Sequence, residues 1–245
     1  MDGDLSRLPS HERRRLLALE SDDVEELARR RLAGEPLQYL EGSAPFVDFE
    51  VTVDERVLVP RPETEGLYEL VADLAPPPGV VVDLGTGSGV LALALARRYP
   101  RAEVHACDLS SGALDVARAN ADRLGVLVHF HLGDLFSALP ASLRGHVDLV
   151  VSNPPYVAEE DWDSLPPDVR NEPRLALVAG PGGTELLERI ADEARVWLAP
   201  SALVACEIGE SQAAAVTESF RPLGEVSAFD DLAGRSRYVL VRRRS

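Results

Sequence analysis

Asp148-Leu149-Val150-Val151-Ser152-Asn153-Pro154-Pro155-Tyr156 is the stretch whose reading decides the architecture. Its apolar run reads as a buried parallel strand, and it empties directly into Asn-Pro-Pro-Tyr. Neither proline can donate to a ladder, so the chain must leave the sheet at Asn153 as a stiff, extended loop. In an open α/β sheet, the carboxyl end of a strand is where ligands sit.

That loop offers specific chemistry. The side-chain oxygen of Asn153 and the carbonyl of Pro154 are two acceptors at short range, suited to a planar –NH2 group with its two donors. The Tyr156 ring can lie against the flat face of such a group, with Pro155 keeping the loop rigid. A plainer reading makes the two prolines a strand stop; the glycine loop upstream favours the functional one.

Upstream, Val80 to Leu84 reads as a short apolar strand, followed by Gly85-Thr86-Gly87-Ser88-Gly89 and a helix from Val90 to Arg98. Alternate glycines let the backbone turn tightly and bring a ligand close to the helix N-terminus. Glu103 to Cys107 is a second strand. Asp108 at its end, 23 residues after Gly85, stands where a carboxylate takes the ribose hydroxyls of an adenosine-containing cofactor. A helix from Ser111 to Leu124 and a strand from Val126 to His131 lead to Asp134 and Leu135. These are placed to meet an adenine amino group and ring respectively.

Beyond Tyr156, the acidic, proline-containing loop from Glu159 to Asp168 is expected to be mobile or to cover the site. Thr184 to Leu198 and Ser211 to Phe220 read as helices, and Ala202 to Ile208 as a strand. Glu225 to Phe229 and Arg237 to Val241 read as a final antiparallel pair.

Residues 1–35 read as a helical arm. Ser10 caps one short helix, Ser21 or Asp22 caps a second, and Gly34 ends it. Arginines 13 to 15 and 29 to 31 read as solvated helix faces. Within 36–65, Phe46 to Val53 and Val57 to Val59 read as a β-hairpin turning at Asp54-Glu55. Residues 66–245 then form the main domain.

Composition narrows the possibilities. The chain has 245 residues, 45% of them hydrophobic, enough for one full α/β core. The absence of a leader pattern after Met1, of any bilayer-length apolar run, and of a cysteine framework predicts a cytoplasmic protein with no membrane contact. A net charge of −16 speaks against stable nucleic-acid binding, and the use of arginine for every basic residue reads as a coding bias. His129 and His131 share a strand face, but no third ligand is near in sequence, and no metal is expected.

On these residues the chain resembles the N5-glutamine methyltransferases that act on class I peptide chain release factors. The likeness rests on Gly34-Glu35-Pro36-Leu37-Gln38-Tyr39-Leu40, Val57 to Glu65, Asp83 to Gly89, Ser152 to Tyr156, Glu172 to Leu177 and Glu207-Ile208-Gly209. The resemblance implies a class I S-adenosylmethionine-dependent methyltransferase: a Rossmann-like α/β fold of seven strands, the last inserted antiparallel. It implies that Gly85 to Gly89 wrap S-adenosyl-L-methionine, that Asp108 holds its ribose, and that Asp134 and Leu135 meet its adenine. Leu135 stands where some relatives carry a tryptophan. Asn153 also borders the cofactor, and Asn153, Pro154, Pro155 and Tyr156 take the substrate glutamine, with Asn153, Pro154 and Tyr156 as the catalytic set.

The helical arm is about half the length the family usually carries before Gly34, so the arm reads as truncated; a monomer is expected. Ribosomal-protein glutamine and the exocyclic amines of RNA or DNA present the same –NH2 chemistry and stand as alternative substrates. A silent cofactor-binding subunit is a third alternative, against which the intact Asn153-to-Tyr156 loop argues.

Overall fold

A computed structural model describes residues 3–19, 21–74 and 76–244. Met1 and Asp2, part of the leader reading, lie outside the described residues.

The arm contains α1 (Asp4–Arg7), α2 (Ser10–Ala18), α3 (Val24–Leu32) and α4 (Leu37–Glu41). Leu8, Leu16, Ala28 and Leu37 form its own small apolar cluster, so α4 packs with the arm. The cap of α3 is Asp23, whose side chain accepts the Glu26 N–H, instead of Ser21 or Asp22. Arg31 is no solvated face residue. It is ion-paired with Glu12 at 2.9 Å and reaches Asp168 at 3.4 Å, tying the arm to the expected lid segment.

The hairpin lies earlier than the apolar pattern suggests. β1 (Ser43–Phe46) pairs with β2 (Phe49–Thr52), and the chain turns at Val47, whose φ is 53°. Pro45 is tolerated because this two-stranded ribbon is all edge. Val57 and Val59, expected as the second strand, are buried without a ladder. A carboxylate takes its place: Glu172 accepts the Val59 N–H at 2.8 Å.

The remaining helices and strands follow in chain order. They are α5 (Pro62–Ala72), β3 (Val80–Leu84), α6 (Val90–Arg98), β4 (Glu103–Asp108), α7 (Ser111–Leu124), β5 (His129–Leu132), β6 (Val147–Ser152), β7 (Val157–Ala158), α8 (Pro167–Arg170), β8 (Val178–Gly180), α9 (Glu185–Trp197), β9 (Leu198–Glu207), α10 (Ala213–Phe220), β10 (Gly224–Asp230) and β11 (Ser236–Arg243). The seven-stranded sheet has the order β10-β11-β9-β6-β3-β4-β5. All its pairs are parallel except those of β11, which enters antiparallel between β9 and β10. This is the class I methyltransferase sheet that the resemblance implied.

β3 and β6 are buried almost throughout, as their unbroken apolar runs require. Helices α5, α6 and α7 cover one face of the sheet, and α9 and α10 the other. Where the loop from Glu159 to Asp168 was expected, the chain forms a short 3-10 stretch, Glu159–Ser164, and enters α8. A minor ribbon, β7 with β8, returns the chain beside the site.

Candidate active site

β3 and β6 are neighbours, and the order of the sheet reverses between them. Their carboxyl ends open into a cavity of ≈ 480 Å³ lined by the glycine loop, Asp108, Asp134, Leu135, Asn153, Pro154 and Pro155. The fold therefore gathers the expected residues at the switch point of an open sheet. Gly89 and Tyr156 are the exceptions. Neither is among the lining residues: a Cβ at Gly89 would meet Ala117 and Leu93 at 3.2 Å, and the Tyr156 hydroxyl reaches Glu207 Oε1 at 3.3 Å.

The glycine loop is shaped for close approach. Gly85 and Gly87 have φ of +71° and +55°, and a Cβ at either would meet nothing within 4 Å. The space a side chain would fill is left to the cavity. Asp108 braces the loop by accepting the Gly87 N–H at 2.9 Å, while its other oxygen accepts the Ser110 N–H at 2.9 Å. Each oxygen retains lone-pair capacity for a hydroxyl. Burial raises the Asp108 pKa, and the backbone bonds from Ser110 and Gly87 pull it back.

Asp134 sits at the cavity but also pairs with Arg189 of α9 at 2.9 Å. Leu135 has a φ of 45°, an unusual conformation for a leucine, and is buried.

Asp83, expected in a strand and a motif but given no role in the site, is 1% exposed and lines the cavity. Its Oδ2 accepts from the Thr86 hydroxyl at 2.6 Å and from the Ala92 N–H at 3.2 Å. Its Oδ1 has no hydrogen-bond partner among the described residues. Burial pushes the carboxyl up to about 7. An unpaired, buried carboxylate oxygen beside a cavity is a receptor for a cationic or hydrogen-bond-donating group.

Asn153 is held from a distance. Its Nδ2 donates to the Thr64 hydroxyl oxygen at 2.9 Å, and that hydroxyl donates to Glu207 Oε2 at 2.8 Å. Thr64 comes from α5 and Glu207 from the end of β9. Because the single Thr64 hydrogen is spent on a carboxylate, the Asn153 atom beside it must be the amide nitrogen. The Asn153 oxygen is then the end left for a ligand. Glu207 is 1% exposed, and burial lifts its pKa to about 7. A third buried carboxylate, Glu172, binds the Arg61 guanidinium and the Val59 N–H, fixing the segment that leads to Thr64.

Thr64, Glu207, Glu172 and Asp83 were missed as site residues. Each lay within a quoted motif, so the signal was present, but nothing in a linear pattern told which side chains would meet. The paired histidines gain a third ring: His105 Nδ1 lies 2.9 Å from His131 Nε2, and His105 stacks on His129. No cluster able to hold a metal occurs among the described residues. No helix of the described residues is long and apolar enough to cross a membrane.

A family profile described as "Methyltransferase small domain" matches residues 65–165. The release factor glutamine methyltransferase of Koribacter versatilis (strain Ellin345) is 39% identical over 243 residues, covering 98% of this chain and 86% of that protein. The protein of the same name from Bordetella pertussis (strain Tohama I) is 45% identical over 237 residues, covering 91% and 86%. The crystal structure of a methyltransferase from Pyrococcus furiosus superposes with a TM-score of 0.60 at 19% identity, over 80% of this chain and 88% of that one, a likeness of fold. This degree of identity over nearly the whole chain, beside the cavity and the Asn153 loop, means that it belongs to the release factor glutamine methyltransferase family.

Proposed function

We propose that this enzyme transfers the methyl group of S-adenosyl-L-methionine to the side-chain amide nitrogen of the glutamine in the Gly-Gly-Gln motif of class I peptide chain release factors. The observation that carries this reading is the fixed Asn153 carboxamide. With its Nδ2 held by Thr64, its oxygen is left for a ligand in the cavity that Asn153 and Pro154 line.

The residues present fit the cofactor. Asp83 Oδ1 is an unpaired acceptor for an ammonium group, Asp108 has capacity for ribose hydroxyls, and the space over Gly85 and Gly87 admits a ligand close to the backbone. When bound, S-adenosyl-L-methionine supplies an electrophilic methyl group on a sulfonium.

The chain's own task is to make a poor nucleophile react. An amide nitrogen has its lone pair delocalised into the carbonyl. Asn153 Oδ1 and the Pro154 carbonyl accept its two N–H bonds, orient the nitrogen for in-line transfer, and favour the positive charge that develops on it. The departing proton passes to water, so no strong base is needed. Tyr156, turned to Glu207, buttresses the loop.

A nucleic-acid amine offers the same two donors, but a chain of net charge −16 is poorly suited to a phosphate backbone. The test incubates purified protein with methyl-labelled cofactor and a class I release factor, alongside the same factor with its motif glutamine replaced. Label on the first alone is expected. Equal label on both refutes the glutamine assignment.

A further inference from the structure

The Thr64 hydroxyl links Asn153 to a buried carboxylate, and that carboxylate can change its protonation. The direction of this hydrogen-bond chain has a chemical consequence. With Glu207 ionised, Oε2 can only accept, so Thr64 donates to it and accepts from Asn153 Nδ2. With Glu207 protonated, its own hydrogen can point at Thr64 Oγ1. The Thr64 hydrogen then turns toward Asn153, whose carboxamide must rotate to present its oxygen there. The –NH2 end would face the cavity, donor against the substrate's donors.

We infer that Glu207, acting through Thr64, is a positioning residue that sets which end of the Asn153 carboxamide meets the substrate, and that the ionised carboxylate is the form that accepts an amide –NH2. This rests on the substrate reading above and deepens it.

The surroundings of Glu207 make the switch physically accessible. Burial is the largest influence and favours the neutral form. Against it act the hydroxyls of Thr64 and Tyr156 and the charge of Arg237 on β11, whose Nη1 donates to the Ile208 carbonyl at 3.1 Å. Glu63, the neighbour of Thr64 on α5, adds repulsion. Tyr238 of β11 sits opposite Glu207 in the sheet and spends its hydroxyl on the Glu63 carbonyl. Beyond them, Asp231 lies 3.9 Å from Arg237, and Arg235 bridges Glu63 at 3.1 Å and Asp231 at 2.8 Å. The net result leaves the carboxyl near neutrality, where small pH changes alter its charge.

The test measures kcat at saturating cofactor against pH, so that cofactor binding at Asp83 does not shape the profile. Wild-type kcat is expected to fall about tenfold per pH unit below the Glu207 pKa. Glu207→Gln can hold either chain direction but cannot switch between them, so its profile should be flat whatever its level. Thr64→Val should lower kcat at least about tenfold with cofactor affinity within about twofold, and Thr64→Ser should restore most of it. An acid limb retained in Glu207→Gln, or wild-type turnover in Thr64→Val, overturns the inference.

The ¹⁵N-resolved side-chain amide signal of Asn153 supplies a readout that needs no substrate. It should titrate with pH in the wild type and stay fixed in Glu207→Gln; a signal invariant in both overturns the inference. If the wild type labels no release factor, the substrate reading falls and this titration alone decides the positioning role.

Discussion

Glu172 accepts the backbone N–H of Val59 at 2.8 Å across 113 positions of sequence. The same carboxylate pairs with Arg61, so one buried side chain pins the segment that delivers Thr64 to the site. Removing it strands a buried N–H and a guanidinium together. Glu172→Ala should therefore cost about 2–3 kcal/mol of stability, read as a lower urea midpoint with an unchanged slope. An unchanged midpoint would show that the segment holds without this anchor.

Asp108 should matter to the cofactor more than to the fold. Asp108→Ala removes the brace on the Gly87 N–H and the acceptor proposed for the ribose. Calorimetric titration of S-adenosyl-L-methionine is expected to show affinity reduced by about 10- to 100-fold, in line with the loss of charge-assisted bonds worth 1.5–3 kcal/mol. Affinity within twofold of the wild type would move the ribose contact elsewhere.

Asn153 divides binding from chemistry. Asn153→Ala should lower turnover by about 10²–10³, the scale for losing one preorganised electrostatic contact, while cofactor affinity changes little. Single-turnover methylation beside cofactor titration separates the two. Turnover near the wild-type value would end the proposed role.

Stability without ligand should fall as pH rises through neutrality. Asp83 and Glu207 both have native pKa values of about 7, above the ordinary 3.8 and 4.5 expected when unfolded. Between those limits the native state binds more protons, so the unfolding free energy declines with pH and the stabilisation is fully present only below the unfolded values. The ligand-free protein should melt at a higher temperature at pH 6 than at pH 8. Asp83→Asn should narrow that difference and weaken cofactor binding. An equal gap in the variant would exclude Asp83 as its source.

Local signals carried much of the architecture. Val80–Leu84, Val90–Arg98 and Ser111–Leu124 are bounded where their apolar periods and glycines place them. The residues around the cavity were readable for the same reason, since strand ends in an alternating pattern converge on one rim. What escaped were meetings between distant segments. Thr64 joins Asn153 across 89 positions and Glu207 across 143, distances over which no periodicity speaks. The misplaced hairpin has a related cause. Val57 and Val59 look like a strand because they are buried, but a side-chain carboxylate, not a neighbouring strand, satisfies Val59. Tyr156 was read as a ring against the substrate; the partner of its hydroxyl, Glu207, is 51 positions away and was equally out of reach of a linear pattern.

β11 is the last strand of the chain, yet it lies inside the sheet, between β9 and β10. During synthesis, the glycine loop and the Asn153 loop leave the ribosome first, while the flank of β9 that carries Glu207 has no neighbour. That flank closes only once Ser236–Arg243 have been made and inserted, so the carboxylate behind Thr64 and Asn153 is enclosed later than the loops it serves.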